Sequence, residues 1–192
     1  MPALWPVFEG QLNNWFNNFA EGGDQTSTGA DTAAQIASAY DKALKTATIV
    51  GKGNLLTGGT VVIPTVEAGF AACFAQMHQS PVDLSIAPYM VAANAVVAAW
   101  ASAQYNPLPP HLPDVLPTVG VIQIFPGSPM PLAVEIMDAF TQEDAAKIAP
   151  KLKTAFANHM KQIFGIYLGL MPNPAPPPPL IPAPPWPWTG VE

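Results

Sequence analysis

The chain has 192 residues, of which 49% are hydrophobic and only 10% are charged, and its net charge is −6. That length suits one domain with a real core, but the charged fraction is far below the roughly 25% of an average soluble domain. Seven basic residues are too few for a phosphate-binding footprint, which argues against nucleic acid as the main partner. The single cysteine, Cys73, excludes an intramolecular disulfide framework. So little charge indicates that other chains or lipid cover much of the surface.

The first predicted element is an aromatic helix between residues 5 and 20. Its large apolar side chains recur at helical spacing, and four asparagines take the other side. The pattern is typical of a core helix, but aromatic anchors are also enriched at protein interfaces. We therefore hypothesise that residues 1–20 form a docking helix for a neighbouring subunit. Its candidate interface residues are Trp5, Phe8, Trp15, Phe16 and Phe19.

Residues 21–170 are predicted to form a helical body. A T-x-x-Q capping box at Thr32–Gln35 indicates the start of the second helix, and Pro64 that of the third. The fourth helix is apolar nearly all round, which is typical of a central or intersubunit helix, and its alanines permit close helix packing. An N-cap at Thr141 begins the sixth. The predicted helices after the first cover residues 31–48, 64–81, 88–104, 131–140 and 141 to about 167.

A long apolar loop interrupts this body at residues 106–131. Its prolines predict an extended course, and Val119 to Phe125 are rich enough in β-branched residues for one short strand or hairpin edge. A long apolar segment without helical structure usually packs against another protein surface. We expect this loop to be covered.

The last predicted element is an arm at residues 171–192, which hold ten of the 24 prolines. Proline has no N–H and a fixed φ, so the segment is neither a helix nor a central strand and should run as extended polyproline II. Such an arm has few internal contacts, so we expect another polypeptide to hold it. Deleting residues 172–192 is then predicted to leave a folded body and to abolish assembly. The candidate anchors are Leu180, Ile181, Trp186 and Trp188.

The fold class is therefore predicted as mainly α. It comprises a compact domain of five to six helices, the long proline-rich loop, at most a short β element and the extended C-terminal arm.

No catalytic constellation is visible in the sequence. The pattern lacks the zinc-protease, calcium-loop, paired-cysteine and dinucleotide motifs, and no hydrolase motif surrounds any histidine or Cys73. Glu135 and Asp138 share a helix face and are typical of solvated surface rather than of a glycosidase pair. We expect no enzymatic activity, no cofactor and no metal. The histidines considered are His78, His111 and His159.

The chain resembles a small virion structural protein of tailed bacteriophages. The resemblance rests on three stretches that cover about half of the chain. They are Phe8 to Phe16 leading to Thr32–Asp41 and Gly51–Asn54, then Trp100 to Gly127, and the final Pro-Pro-Trp-Pro-Trp-Thr-Gly. The resemblance implies a scaffolding role in many copies within the virion, in its tail, baseplate, neck or capsid surface. It also implies that the partners are copies of the chain itself and other virion proteins.

Three alternatives remain open. In the first, the proline arm is the ligand of an SH3-like or WW-like domain, although the arm has no Lys or Arg to orient it. In the second, residues 84–103 insert into a membrane; the stretch has spanning length, but Pro88 and Asn94 interrupt it and no Lys or Arg flanks it. In the third, a hydrolase pocket gathers His159 or His78 with an acid.

Overall fold

The computed structural model describes residues 3–20, 28–51, 53–79, 85–105, 116–172, 180–182 and 186–192. Within them the chain is mainly helical, as predicted, and a small sheet accompanies the helices. Residues 106–115 of the predicted loop, with His111, and residues 173–179 and 183–185 of the predicted arm lie outside the described part. The helices are α1 (Trp5–Ala20), α2 (Gly29–Leu44), α3 (Ile63–Met77), α4 (Ala87–Trp100), α5 (Pro129–Phe140) and α6 (Ala145–Gln162).

Several helix boundaries differ from the predicted ones. Helices α2, α3 and α4 end about one turn earlier than predicted, at Leu44, Met77 and Trp100. The N-cap predicted at Thr141 is wrong, because Thr141 is the C-cap of α5 and Asp144 caps α6.

Helix α2 begins two residues early, at Gly29, because Thr28 and Asp31 form a reciprocal capping box, in which the Asp31 carboxylate accepts from the Thr28 N–H at 2.7 Å. The capping box predicted at Thr32 is therefore wrong. Helix α6 ends at Gln162 rather than near Tyr167, and the residues that follow form a strand. Glycine and β-branched residues are poor helix formers, and two glycines with an isoleucine occupy this stretch.

The six helices pack as a closed ring. Each helix contacts the next along the chain, and α6 returns to contact α1. Helices α3 and α4 approach closely, since a Cβ added to Gly69 would lie 2.1 Å from the Cβ of Ala95. At that point only the Ala95 methyl group lies between the two backbones. The close helix packing predicted from the alanines of α4 is confirmed.

An aromatic cluster fills the ring. Phe156 of α6 stacks on Tyr40 of α2 with ring centroids 4.4 Å apart, and it contacts Phe8 of α1 at 5.6 Å and Phe70 of α3 at 6.1 Å. From α4, the Trp100 indole N–H donates to the Tyr40 hydroxyl at 2.8 Å. All five side chains are fully buried. Helix α1 therefore shares one core with the other helices.

The sheet is larger than the short β element that was predicted. Strand β2 is central and pairs antiparallel with β1 on one side and with β3 and β4, one after the other, on the opposite side. Its main ladder pairs residues that are far apart in sequence, from Phe125 with Phe164 to Leu116 with Leu170, and such pairing leaves no local signal. The prolines of β3 and β4 lie in strands on the far side of β2, a position that tolerates the missing N–H. The strands are β1 (Leu116–Phe125), β2 (Phe164–Pro172), β3 (Leu180–Pro182) and β4 (Trp186–Thr189).

Candidate functional site

The C-terminal end of the chain docks on the chain's own body. We call residues 186–192 the C-terminal segment. The surface that holds them is the receiving groove, which consists of residues 48–50, Tyr105, Met160, Ile163 and the start of β2 at residues 164–167. The groove thus draws on three separate stretches of sequence.

Main-chain hydrogen bonds join the segment to the turn after α2. Thr48 and Glu192 exchange two bonds: the Thr48 N–H donates to the Glu192 main-chain oxygen at 2.8 Å, and the Glu192 N–H donates to the Thr48 carbonyl at 2.9 Å. The Val50 N–H donates to the Gly190 carbonyl at 3.1 Å. Because these bonds join main-chain atoms, they need no particular side chain. Along this side the groove therefore binds the backbone of the segment.

A second set of bonds joins the segment to the end of α6. The Gly190 N–H donates to the Ile163 carbonyl at 2.7 Å, and the Val191 N–H donates to the Met160 carbonyl at 2.9 Å. The Met160 carbonyl also accepts from the Ile163 N–H at 3.3 Å, whereas the Ile163 carbonyl follows the helix end, where carbonyls lack a partner within the helix. Val191 and Ile163 are buried, at 1% and 0% exposure.

The side chain that anchors the segment is Trp188. It is 6% exposed, and its ring lies edge-on to Tyr105 with centroids 5.5 Å apart. Beside it the chain bends at Gly190, whose φ is +80° and whose added Cβ would lie 3.2 Å from Cγ2 of Val50. Both observations favour glycine at this bend. The C-terminal segment therefore fits the receiving groove through one aromatic ring, one glycine turn and one valine.

Two buried polar atoms of this site have no hydrogen-bond partner among the residues that the structure describes. They are the Trp188 indole Nε1 and the Tyr105 hydroxyl. Burial raises the pKa of the Tyr105 hydroxyl well above its ordinary value, and the nearby Tyr40 raises it further. Tyr105 is thus a neutral phenol at physiological pH. A buried donor without an acceptor costs free energy, so Trp188 contributes through its apolar surface rather than its N–H.

The predicted interface residues of α1 face inward. Phe8 is fully buried, and Phe16 is 9% exposed with its ring edge-on to Phe140. Trp15 is half-buried and donates its indole N–H to the Thr32 hydroxyl at 3.3 Å, while Trp5 is half-buried against Phe8. In this fold Phe8, Phe16 and Trp188 are buried in the chain's own core, and their role as anchors for a neighbour stays a prediction. The side chains of Phe19, Leu180, Ile181 and Trp186 lie outside the described residues.

The exposed surface of α4 and α5 is almost free of charge. We call six exposed residues of these adjacent helices the neutral face. On α5, Met130 is 51% exposed and Val134 is 45% exposed, and Asp138 is the one charged residue exposed on either helix. Sequence reasoning missed Met130 and Val134, although the apolar residues of α5 occupy more than one helix face. The neutral face comprises Ala87, Asn94, Ala98, Met130, Pro131 and Val134.

Two titratable side chains that the sequence offered for catalysis, Cys73 and His159, are buried. Cys73 is fully buried, and burial raises the pKa of its thiol to about 12, so it is not a thiolate nucleophile. His159 is 1% exposed; its Nε2–H donates to the Pro126 carbonyl at 2.8 Å, and its Nδ1 has no partner. Burial lowers the pKa of His159 to about 4, against the weaker opposing effect of that hydrogen bond. The imidazole is neutral at pH 7.

The two acids of α5 have separate partners. Glu135 accepts from the Asn158 amide at 3.1 Å, and Asp138 pairs with Lys151 at 2.6 Å. Within the described residues, no three metal-ligating side chains come together. A pocket between α2 and residues 56–63 has a volume of about 30 Å³, which is room for a water molecule or two. That pocket does not fit an organic substrate.

Helix α4 has 14 residues, fewer than the apolar stretch considered in the sequence. Among the helices of the described residues, none combines the length and apolarity needed to span a bilayer.

No protein-family model matches the chain, and no match was found among curated proteins or solved structures.

Proposed function

We propose that the chain is a non-enzymatic structural subunit of a bacteriophage virion, present in many copies. It assembles through its helical body and its proline-rich C-terminal region. The observation that carries this proposal is the low charge of the exposed surface of α4 and α5, where Asp138 is the one charged residue among seven exposed ones. Large apolar patches on a protein surface mark contact sites.

A second copy of the chain is the occupant that this surface fits best. With a net charge of −6, two copies repel each other wherever their acidic surfaces approach. The neutral face removes that repulsion. Its alanines on α4 let two backbones approach closely, and Met130 and Val134 supply apolar area for burial. Other virion proteins would contact the remaining surface.

The test of self-association is a charge placed on the neutral face. Ala98→Lys should weaken association at least tenfold, because burying an unpaired ammonium at an interface is costly. The matched control is Asn17→Lys, which puts the same charge on an exposed position of α1. Light scattering over a concentration series measures both variants. A wild-type chain that stays monomeric throughout would overturn the proposal.

The virion assignment has its own test. Mass spectrometry of purified, nuclease-treated phage particles should find this chain at a fixed ratio to the other particle proteins. Its presence only in the unassembled fraction would contradict a structural role, even if the pure chain self-associates.

A further inference from the structure

The two edges of the sheet differ in how they are protected. On one edge, β3 and β4 contain Pro182 and Pro187, and the residues after β4 hydrogen-bond to residues 48–50. Proline has no N–H to donate, so it limits the addition of a further strand. The other edge is β1, whose partner strand among the described residues is β2. From Thr118 to Phe125 this strand contains neither a proline nor a charged residue.

The hydrogen bonds of β2 show which way its main-chain groups point. The Gly190 N–H donates to the Ile163 carbonyl at 2.7 Å, and these two residues continue the register of β2 with β4. Because main-chain groups alternate in direction along an antiparallel strand, those of Phe164 and Ile166 point away from β4 and toward β1. The register partner of Ile166 on β4 is Pro187, which has no N–H, in agreement with this alternation.

Two residues of β1 therefore have main-chain groups that point away from the sheet. Gln123 and Phe125 are the register partners of Ile166 and Phe164, so they bond to β2. Ile122 and Ile124 alternate with them along the strand, and their N–H and C=O groups face outward. These groups have no main-chain partner among the residues that the structure describes. The outer side of β1 is thus an open row of hydrogen-bond donors and acceptors.

A second copy of the chain is the occupant that this edge fits best. Residues 115–134 and 162–191 contain no Asp, Glu, Lys or Arg, so the sheet is uncharged in a chain whose net charge is −6. Two copies can therefore approach along β1 without repulsion between acidic surfaces. A strand placed antiparallel to its own copy forms a twofold contact, in which each outward N–H meets an outward carbonyl. Lipid fits less well, since unpaired main-chain groups are costly in hydrocarbon.

We propose that β1 of one copy pairs antiparallel with β1 of a second copy, so that the two sheets become one. Ile122 of each copy exchanges main-chain bonds with Ile124 of the other, and Gln123 lies opposite Gln123 of the second copy. A glutamine amide carries both a donor and an acceptor, so this central pair is self-complementary. The inference rests on the proposed function, because it requires copies of the chain to associate. It adds a second contact surface to the neutral face and so allows assemblies larger than a dimer.

A cysteine at the centre of the contact offers a direct test. In this pairing the two copies of Gln123 form a non-hydrogen-bonded pair, whose Cα atoms lie about 4.5 Å apart, a separation that a disulfide can bridge. Gln123→Cys is made together with Cys73→Ala and oxidised with diamide, which takes up the two electrons and two protons of the two thiols. The yield of covalent dimer on a non-reducing gel should exceed that of the control, Thr189→Cys with Cys73→Ala, by about tenfold. Thr189 is exposed on β4, at the protected edge. Equal yields overturn the proposal.

A proline on β1 tests the main-chain bonds themselves. Ile122→Pro removes an outward N–H and leaves the bonds between β1 and β2 in place, whereas the control Ile122→Val keeps the N–H. Both are made in the Ala98→Lys chain, in which the neutral face carries a charge. Light scattering should show that Ile122→Pro weakens the remaining association about tenfold, because the twofold contact loses two donors at once. Ile122→Val should leave it nearly unchanged. Equal association of the two variants overturns the proposal.

The Ala98→Lys chain also separates this proposal from the one above. Pairing of β1 predicts that this chain still forms a dimer and that its Gln123→Cys form is still cross-linked. If the wild type self-associates but the Ala98→Lys chain is monomeric and uncross-linked, pairing of β1 is refuted and the virion subunit proposal stands. A wild-type chain that is monomeric at every concentration, or that sediments as a monomer with phosphatidylcholine vesicles, refutes both.

Discussion

The helical ring and the C-terminal sheet are stabilised in different ways. In the ring, each helix packs against the next along the chain, and the buried Trp100 indole of α4 finds its acceptor in Tyr40 of α2 at 2.8 Å. Around the sheet, main-chain bonds join residues as distant as Thr48 and Glu192, and the buried Trp188 indole has no acceptor among the described residues. Trp188 and Val191 nevertheless belong to the same hydrophobic core as the ring residues. The C-terminal segment thus joins that core from outside the ring of helices.

Removing the C-terminal segment should have the largest effect on the stability of the chain. Deleting residues 186–192 exposes the groove, loses the burial of Trp188 and Val191, and frees helix-end carbonyls. Because burial of a tryptophan alone is worth roughly 3–5 kcal/mol, we expect the free energy of unfolding to fall by about 5 kcal/mol. Chemical denaturation at a fixed protein concentration measures the loss. This changes the sequence-based expectation that removing residues 172–192 leaves the body intact.

The matched control for the deletion is Thr189→Ala. Thr189 lies within the segment but is exposed, so its substitution should change the free energy of unfolding by less than about 0.5 kcal/mol. A truncated chain as stable as the full chain would show that the ring does not need the segment, and the groove would then be a surface rather than part of the core.

Acid should destabilise the junction between the ring and the sheet through His159. Its pKa is about 4 in the folded chain and about 6.5 when unfolded, so between these values the unfolded state binds more protons. Above pH 6.5 the free energy of unfolding includes the full contribution of the neutral imidazole. This contribution declines as pH falls toward 4. The full difference amounts to about 3 kcal/mol. Denaturation midpoints at pH 7, 5.5 and 4.5 measure it.

The variant that isolates this effect is His159→Gln, which keeps a donor for the Pro126 carbonyl and cannot titrate in this range. It should lose distinctly less stability on acidification than the wild type. His78→Gln removes an exposed imidazole instead and should retain the wild-type loss. Equal acid profiles for His159→Gln and the wild type would refute the assignment.

Two conservative substitutions compare the buried indole N–H of the ring with that of the C-terminal segment. Trp100→Phe leaves the buried Tyr40 hydroxyl without its donor, whereas Trp188→Phe removes an N–H that had no acceptor. We expect the first to cost about 1–2 kcal/mol more than the second, because an orphaned buried polar group carries its full desolvation cost. Thermal and urea unfolding of both variants give the difference. Equal costs would mean that the Trp188 N–H is satisfied in solution.

Sequence reasoning succeeded where the signal was local. The helical spacing of Phe8, Leu12 and Phe16 identified α1 and its buried face, and Pro64 marked the start of α3 within one residue. It failed at the end of α6, because residues 164–172 become a strand only through pairing with the distant strand β1. It also missed the neutral face, since the exposure of Met130 depends on which side of α5 the ring covers.

By itself, the sequence determined a mainly helical chain with little charge and a proline-rich end, since periodicity, composition and the chemistry of proline act within a few residues. Only the tertiary structure decided that Trp188 and Val191 are buried in the receiving groove. That groove exists only when Thr48, Tyr105 and Met160 are brought together. Such convergence is set by the packing of the ring, and nothing within the C-terminal residues encodes it.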